Sequence, residues 1–269
     1  MKIKALVWDI ETSPLLTWVW GLYAAKNGIP HQNIVADQMI LCGAWKWLGQ
    51  KTVHTVAVDP KEVQEYILRV AQGKKAKRPD RHVVEALRAA VMEADFIIAH
   101  NGDKFDLKKL NARVIEQGLP SMPQLQTVDT LKEIRKVAAF TSNRLDYLSS
   151  TLLADGGKIK TDMSLWTRIM FGERKAMREM LAYNRRDVTE LERVYLKLRP
   201  HMRTHPNVNV ANPIAKQTLM CPTCSSGRVQ RRGIHKTKTM TYDRYCCQNC
   251  GSWSRLSHAD KKNKNAQLK

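Results

Sequence analysis

The 269-residue chain carries 45 Lys and Arg against 25 Asp and Glu, a formal net charge of +20, and 43% of its residues are hydrophobic. That much apolar material excludes wholesale disorder, and no apolar run approaches the roughly 20 residues of a bilayer span, which excludes an integral helical membrane protein. The charge predicts a polyanionic partner, nucleic acid ahead of a membrane, because no segment reads as a basic amphipathic anchor. The opening MKIKALVWDIETSP shows neither a long apolar stretch nor a small-residue cleavage site, so no secretory signal and a cytoplasmic location are expected.

In chain order, Ile3–Ile10 is an apolar run ending in acids, and Met39–Leu48 and Thr52–Val58 are two further strand candidates rich in β-branched and aromatic residues. Lys61–Val70 and Arg81–Glu93 have helical spacing, separated by the basic loop GKKAKRPD (73–80), which reads as a solvated insertion first and a nucleic-acid-guiding arm second. Asp95–His100 is a short buried-strand pattern, followed by a helix from about Lys104 to Gln117 that GLP stops, and Gln126–Asp129 is a last short strand. After it come only helical patterns, the final one running from about Glu173 to Leu198. Strands, then strand–helix alternation, then helices predict an α/β domain with a central mixed sheet covered by helices. Trp18, Trp20, Tyr23, Trp45 and Trp47 read as packing residues rather than a base-stacking platform.

Residues 200–269 hold 13 Lys and Arg but only Asp243 and Asp260, so charge concentrates at the C-terminal end. The uncharged HPNVNVANP (205–213) separates the two regions. The expected organisation is a first domain over 1–204, a linker over 205–217, a small module over 218–257 and a flexible basic tail over 258–269.

Three motifs carry acids in unusual places. Asp9 and Glu11 in VWDIETS are i and i+2 of a strand, so both carboxylates face one spot at the mouth of a core strand. In HNGDKFDLKKL (100–110), Asp106 lies in the first turn of the helix that follows a buried strand. Tyr183 and Asp187 in YNRRDVTEL share one helix face at i and i+4, beside the core positions Leu181, Val188, Leu191 and Val194. Each motif alone also reads as ordinary: solvated strand-end charges, a helix cap, a buried hydrogen bond. Together they supply four acids to one cleft, and divalent cations neutralise such a group. Hard oxygen ligands suit Mg²⁺ or Mn²⁺, and two ions about 4 Å apart are the usual clamp for phosphodiester cleavage.

Asp9-Ile-Glu11, Asn101-Gly-Asp-Lys-Phe105-Asp106 and Tyr183-Asn-Arg-Arg-Asp187 resemble, in order and spacing over residues 3–199, the motifs of the DEDD 3′–5′ exonucleases. These belong to the ribonuclease H-like fold and include the proofreading exonuclease domains of DNA polymerases. Tyr183 four residues before Asp187, with Ala182 where the other branch has histidine, is similar to the tyrosine subclass. The WGLY segment and the cysteine-rich ending resemble stand-alone exonucleases encoded by bacteriophages. The resemblance implies two Mg²⁺ or Mn²⁺ ions on Asp9, Glu11, Asp106 and Asp187, and a water oriented or deprotonated with the help of Tyr183. It further implies Thr12, Asn101 and Phe105 at the terminal nucleotide, and Asp129 of TVDTL in support. No polymerase domain is present, so proofreading in cis is not expected, and a replication or recombination protein is a possible delivering partner.

Five of the six cysteines crowd into 221–250, reading CPTC, 22 residues, then CQNC. Two C-x₂-C knuckles predict one structural Zn²⁺ on Cys221, Cys224, Cys247 and Cys250, with Cys246 a spare and Cys42 a core residue. The intervening segment alternates as a hairpin and resembles a zinc ribbon. Arg228, Arg231, Arg232, Lys236, Lys238 and Arg244 are expected on phosphates, with Tyr242, Tyr245 or Trp253 stacking on bases. A ribbon that only docks on protein is the alternative. The combined expectation is a 3′–5′ exonuclease on single-stranded DNA ends. A ribonuclease, a nuclease selective for branched DNA, and a non-catalytic recruitment factor remain open, as does the oligomeric state.

Overall fold

A computed structural model describes residues 3–21, 28–156, 161–210 and 218–257. Tyr23, the last part of the expected linker and the expected tail lie outside the described residues. The chain divides into two compact units, one of Lys4–Leu131 with Ser142–Val194, the other of Met1–Ile3, Lys132–Thr141 and Tyr195–Lys269.

The first unit is built on a five-stranded sheet. Its strands are β1 (Ala5–Thr12), β4 (Ile40–Trp47), β5 (His54–Ala57), β6 (Phe96–Ala99) and β7 (Gln126–Asp129), while β2 (Leu16–Thr17) and β3 (Ile34–Ala36) form a separate small ribbon. The order is β5-β4-β1-β6-β7, with β4 antiparallel to β1 and β5, and β6 parallel to β1 and β7. Such a mixed sheet with β1 at its centre matches the expected ribonuclease H-like architecture. Ala5–Trp8 are buried without alternation, as a strand covered on both faces requires. Each buried Leu, Ile or Val along it contributes about 1.5–3 kcal/mol, which makes the end of β1 a rigid mount for Asp9 and Glu11. A register irregularity falls between Glu11 and Thr12, opposite Cys42 and Ile40, and bulges of this kind re-aim side chains at strand ends. Cys42 is buried in the core, as expected.

Helices α1 (Pro60–Ala71), α2 (Arg81–Met92), α3 (Asp106–Glu116) and α7 (Arg174–Leu198) follow the predicted spans closely; α4 (Thr130–Val137) continues directly from β7, and it, α5 (Leu145–Leu152) and α6 (Met163–Met170) fall in the region read as helical without bounds. Pro60 sits in the first turn of α1 with Asp59 accepting from the Lys61 N–H at 3.0 Å, and Asp162 caps α6 through the Ser164 N–H at 2.8 Å. The loop before α2 is pinned by Asp80, which is fully buried, takes two bonds from the Arg113 guanidinium at 2.6 and 2.8 Å, and accepts the Ile40 N–H at 3.0 Å. A cavity of about 420 Å³ beneath this loop is lined by Tyr66, Arg78, Arg113 and Glu116, charged groups largely paired with one another; none of the motif acids lines it. α7 is tied to the rest of its unit by two buried acids: Glu192 meets Lys46 of β4 and the Gly49 N–H, and Glu190 takes the Ser149 hydroxyl at 2.7 Å.

Trp45 and Trp47 pack against the core as expected. Trp18 and Trp20 depart from that reading: they stand 71% and 102% exposed. The pattern that half-buries Trp45 and Trp47 in β4 has no counterpart after the two-residue β2, which among the described residues pairs with β3 alone.

In the second unit β8 (Val229–Lys236), β9 (Thr241–Cys247) and β10 (Trp253–Arg255) form an antiparallel sheet in the order β10-β9-β8. Nearby, Glu133 of α4 is buried and accepts the N–H groups of Arg203 and Thr204 at 3.1 Å each, and the Tyr195 hydroxyl meets His205 Nε2 at 2.7 Å. The described start of the expected linker is ordered against the first cysteine knuckle: Val208 N–H donates to the Pro222 carbonyl at 2.8 Å, and Asn209 Nδ2 to the Cys221 carbonyl at 2.7 Å.

Candidate metal centres

Three elements, β1, α3 and α7, carry the motif residues. One carboxylate oxygen each from Asp9, Glu11 and Asp187 lies within 4.8 Å of the others. Asp9 and Glu11 reach this point from the end of β1, and Asp187 from mid-α7. Asp106, at the start of α3, stands behind them: it is buried and its Oδ1 accepts the Ile10 N–H at 3.1 Å, in the strand between Asp9 and Glu11. Burial, then the negative charges of Asp106, Glu11 and Asp187, pushes the Asp9 carboxyl well above the usual carboxylate range. Burial likewise raises Asp106 to about 7, against the pull of the Ile10 N–H. A metal-free cleft of this kind retains protons that a divalent cation displaces.

The Tyr183 hydroxyl hydrogen-bonds the Asp187 carboxylate, and burial together with the Asp187 charge raises its pKa far above that of free tyrosine. Beside it, Asn184 is fully buried and its Nδ2 donates to Asp9 Oδ2 at 2.6 Å, which holds the first-strand acid from the last helix. The sequence reading did not single out Asn184; adjacency to Tyr183 in a helix carries no spacing signal toward residue 9. Asp129 accepts the N–H groups of Asn101 at 2.9 Å and Leu131 at 3.0 Å, so it holds the turn between β6 and α3. Asn101 adopts φ +68° in that turn, and a Cβ on Gly102 would meet the Ala99 Cβ at 2.3 Å and Asp106 Oδ2 at 3.6 Å. Only glycine lets the chain pass Ala99 this closely.

The second centre is the cysteine cluster. Sγ atoms of Cys221 and Cys250 are 3.7 Å apart, as are those of Cys224 and Cys247, and all four lie within 4.8 Å of one another. A tetrahedron with zinc–sulfur bonds of about 2.3 Å has edges of about 3.8 Å, whereas a disulfide needs about 2.05 Å, so the donors fit the ion and not the bond. Burial pushes Cys221 up to about 12, while bonds from Ser252 overcome burial to bring Cys250 down to about 7. When the four sulfurs bind a cation as thiolates, that cation takes the place of the proton that burial keeps on Cys221. Cys246 lies outside the quartet, as expected.

With this geometry in view, a family model described as the RNase_H superfamily matches residues 43–199, more than half of the chain. The chain belongs to the RNase_H superfamily. Among solved structures, this RNase_H superfamily chain is similar to the family B DNA polymerase from the hyperthermophilic archaeon Pyrobaculum calidifontis, with a TM-score of 0.51 and 16% identity. The match covers 74% of this chain and 25% of the polymerase, so the chain spans well under half of that protein, and the likeness is one of fold. No curated protein matches.

The expected substrate contacts are distributed unevenly. Thr12 ends β1, its carbonyl held by Trp166 Nε1 at 3.1 Å, and Phe105 is exposed just before Asp106, with Lys109 Nζ 5.9 Å from its ring centroid. Of the ribbon residues, Arg228, Arg232, Lys236, Lys238 and Arg244 lie exposed. Arg231 is occupied by Asp243, its Nε 2.8 Å from Oδ1. Among the described residues no helix is long and apolar enough to cross a membrane.

Proposed function

We propose that this chain is a metal-dependent 3′–5′ exonuclease acting on single-stranded DNA, with a catalytic domain over 1–204 and a zinc ribbon over 218–257 that helps hold the substrate. The observation that carries the reading is the convergence of Asp9, Glu11 and Asp187 within 4.8 Å, with the buried Asp106 charge acting on Asp9 and the Tyr183 phenol bonded to Asp187. Superfamily membership supports nuclease chemistry, and the ordered motifs resembling proofreading exonucleases support the 3′–5′ direction.

The donor set suits hard cations: the four carboxylates would hold two Mg²⁺ or Mn²⁺ ions. When bound, such ions supply Lewis-acid activation of a water and neutralise charge on the leaving 3′ oxygen. Tyr183 keeps its proton in this environment, so it orients the attacking water by hydrogen bonding rather than taking its proton. Asn184 fixes the rotamer of Asp9. Thr12, Asn101 and Phe105 would position the terminal nucleotide, whose phosphorus is attacked by water as its bond to the 3′ oxygen of the shortened strand breaks. A nucleoside 5′-monophosphate leaves, and the new strand end is a 3′ hydroxyl. In the ribbon, Cys221, Cys224, Cys247 and Cys250 would bind one structural Zn²⁺. Delivery by a replication or recombination protein would supply substrate to this chain.

The test is a time course on 5′-labelled single-stranded DNA and RNA of one sequence with Mg²⁺ or Mn²⁺, beside Asp9→Ala. A ladder shrinking from the 3′ end and absent in the variant is expected, with DNA the faster substrate. Tight binding without cleavage of either would replace the exonuclease with a recruitment factor.

A further inference from the structure

The three-stranded sheet of the ribbon has two chemically different faces. Register pairs place His235 opposite Tyr242, Trp253 opposite Cys246 and Arg255 opposite Arg244, so the front face presents His235, Tyr242, Arg244, Trp253 and Arg255 together. On it the Arg255 guanidinium lies 3.9 Å from the Tyr242 ring centroid, the Arg244 guanidinium 4.9 Å from that of Trp253, and the His235 and Tyr242 rings are 6.4 Å apart. Trp253 is 55% exposed, and Arg244 and Arg255 are exposed too.

Residues 218–257 contain seven Lys and Arg and a single acid, Asp243. Asp243 points to the back face, where Arg231 neutralises it at 2.7 Å. The bulge between Arg231 and Ile234 makes this possible. Arg232 and Gly233 together oppose Arg244 alone, and this one extra residue turns Arg231 onto the same face as Asp243. The same bulge prepares the front: Arg244 Nε donates to the Arg232 carbonyl at 2.9 Å, and a Cβ on Gly233, which sits at φ +80°, would be 3.5 Å from the Arg244 guanidinium. Both front arginines thus have fixed heads, an aromatic ring beside each, and no carboxylate partner among the described residues.

We propose that this front face is a binding platform for single-stranded nucleic acid, with phosphates on Arg244 and Arg255 and bases stacked on Trp253 and Tyr242. Two guanidiniums with no carboxylate partner suit an anionic occupant, and the exposed Trp253 ring, with the half-buried Tyr242 beside it, suits stacking on bases that a duplex keeps inside. The platform rests on the reading of the chain as a nuclease fed by its ribbon, and it refines that reading: it replaces a diffuse set of basic residues with one face, adds Arg255, keeps Tyr242 and Trp253 as the stacking rings, and leaves Arg231 and Tyr245 out.

The experiment is fluorescence anisotropy of the full-length, zinc-loaded protein with a labelled single-stranded 20-mer and with its duplex, in EDTA-free buffer with Ca²⁺, over a salt series. Trp253→Ala is expected to weaken single-strand binding about fivefold or more, and duplex binding less. Arg244→Gln/Arg255→Gln should lower the slope of log affinity against log salt by about 1.4, the equivalent of two phosphate contacts to a single strand. Ile234→Ala on the back face should bind within twofold of the parent, and zinc content of one per chain checks the fold of each variant. Front-face variants that bind like the parent, or a back-face variant that weakens binding equally, would overturn the platform and assign the face to a protein partner. A parent that binds through this face but cleaves nothing with Mg²⁺ would overturn the nuclease reading while leaving the platform intact.

Discussion

The Asn184 amide joins the last helix of the first unit to its first strand. Asn184 Nδ2 holds Asp9 at 2.6 Å, and its buried Oδ1 has no partner among the described residues, so the side chain is committed to that one contact. Asn184→Ala should free the Asp9 carboxylate and weaken Mn²⁺ binding by about 10- to 100-fold, the usual effect of losing a partner that orients a ligand, with little loss of helix content. Isothermal titration against the parent checks this; equal affinities would remove the positioning role. Asp106 makes a second test. Its folded-state pKa of about 7 lies above the ordinary value near 4, so the folded chain holds a proton that the unfolded chain has released between those values. Stability of the metal-free protein therefore falls as pH rises from about 4 to 7, by an amount of order a few kcal/mol. Thermal melts in chelator should show Asp106→Asn losing that slope, and Mg²⁺ restoring stability to the parent above pH 7. The acids themselves were legible in the sequence because i, i+2 on a strand and i, i+4 on a helix each define a face. Asn184 was not, since its partner is 175 residues away and only packing of α7 against β1 pairs them.

At the scale of elements, the turn between β6 and α3 decides where Asp106 points. Asp129 grips its backbone, Asn101 takes the left-handed conformation that asparagine tolerates, and Gly102 passes Ala99 without a Cβ. Gly102→Ala forces two carbons to well inside contact distance, so the turn must shift and Asp106 must leave the Ile10 N–H. A destabilisation of about 1–3 kcal/mol is expected, with a larger fractional loss of cleavage than Asp129→Asn produces; urea melts and rate measurements on the same samples separate the two effects. Predicted helices and strands matched because apolar periodicity and breakers are local. The departures were Trp18 and Trp20, which β2 is too short to cover.

For the whole molecule, the two units hold themselves together differently. The catalytic unit has a continuous apolar core running from Leu6 through Leu87, Ile97 and Leu110 to Met180. The buried apolar residues of the ribbon strands amount to little more than Cys247, so its fold depends on the thiolate centre. Removing zinc with a strong chelator should expose residues 218–257 to trypsin and cost nucleic-acid affinity, while the core of the catalytic unit stays protected; limited proteolysis read by mass spectrometry checks this. Survival of the ribbon strands in chelator would show that metal does not hold them.

The sequence alone determined the order of strands and helices, the four acids with their tyrosine, and the paired cysteine knuckles. Each of these is written in short-range spacing, and short-range spacing dictates which side chains share a face. Only the tertiary structure decided that Asn184 orients Asp9, that Asp106 lies behind the other three acids, and that a bulge in β8 turns Arg231 to the back of the ribbon and leaves Arg244 and Arg255 on the front. Those outcomes depend on inter-strand register and on packing between segments far apart in the chain, where a shift of one residue reverses which face a side chain occupies.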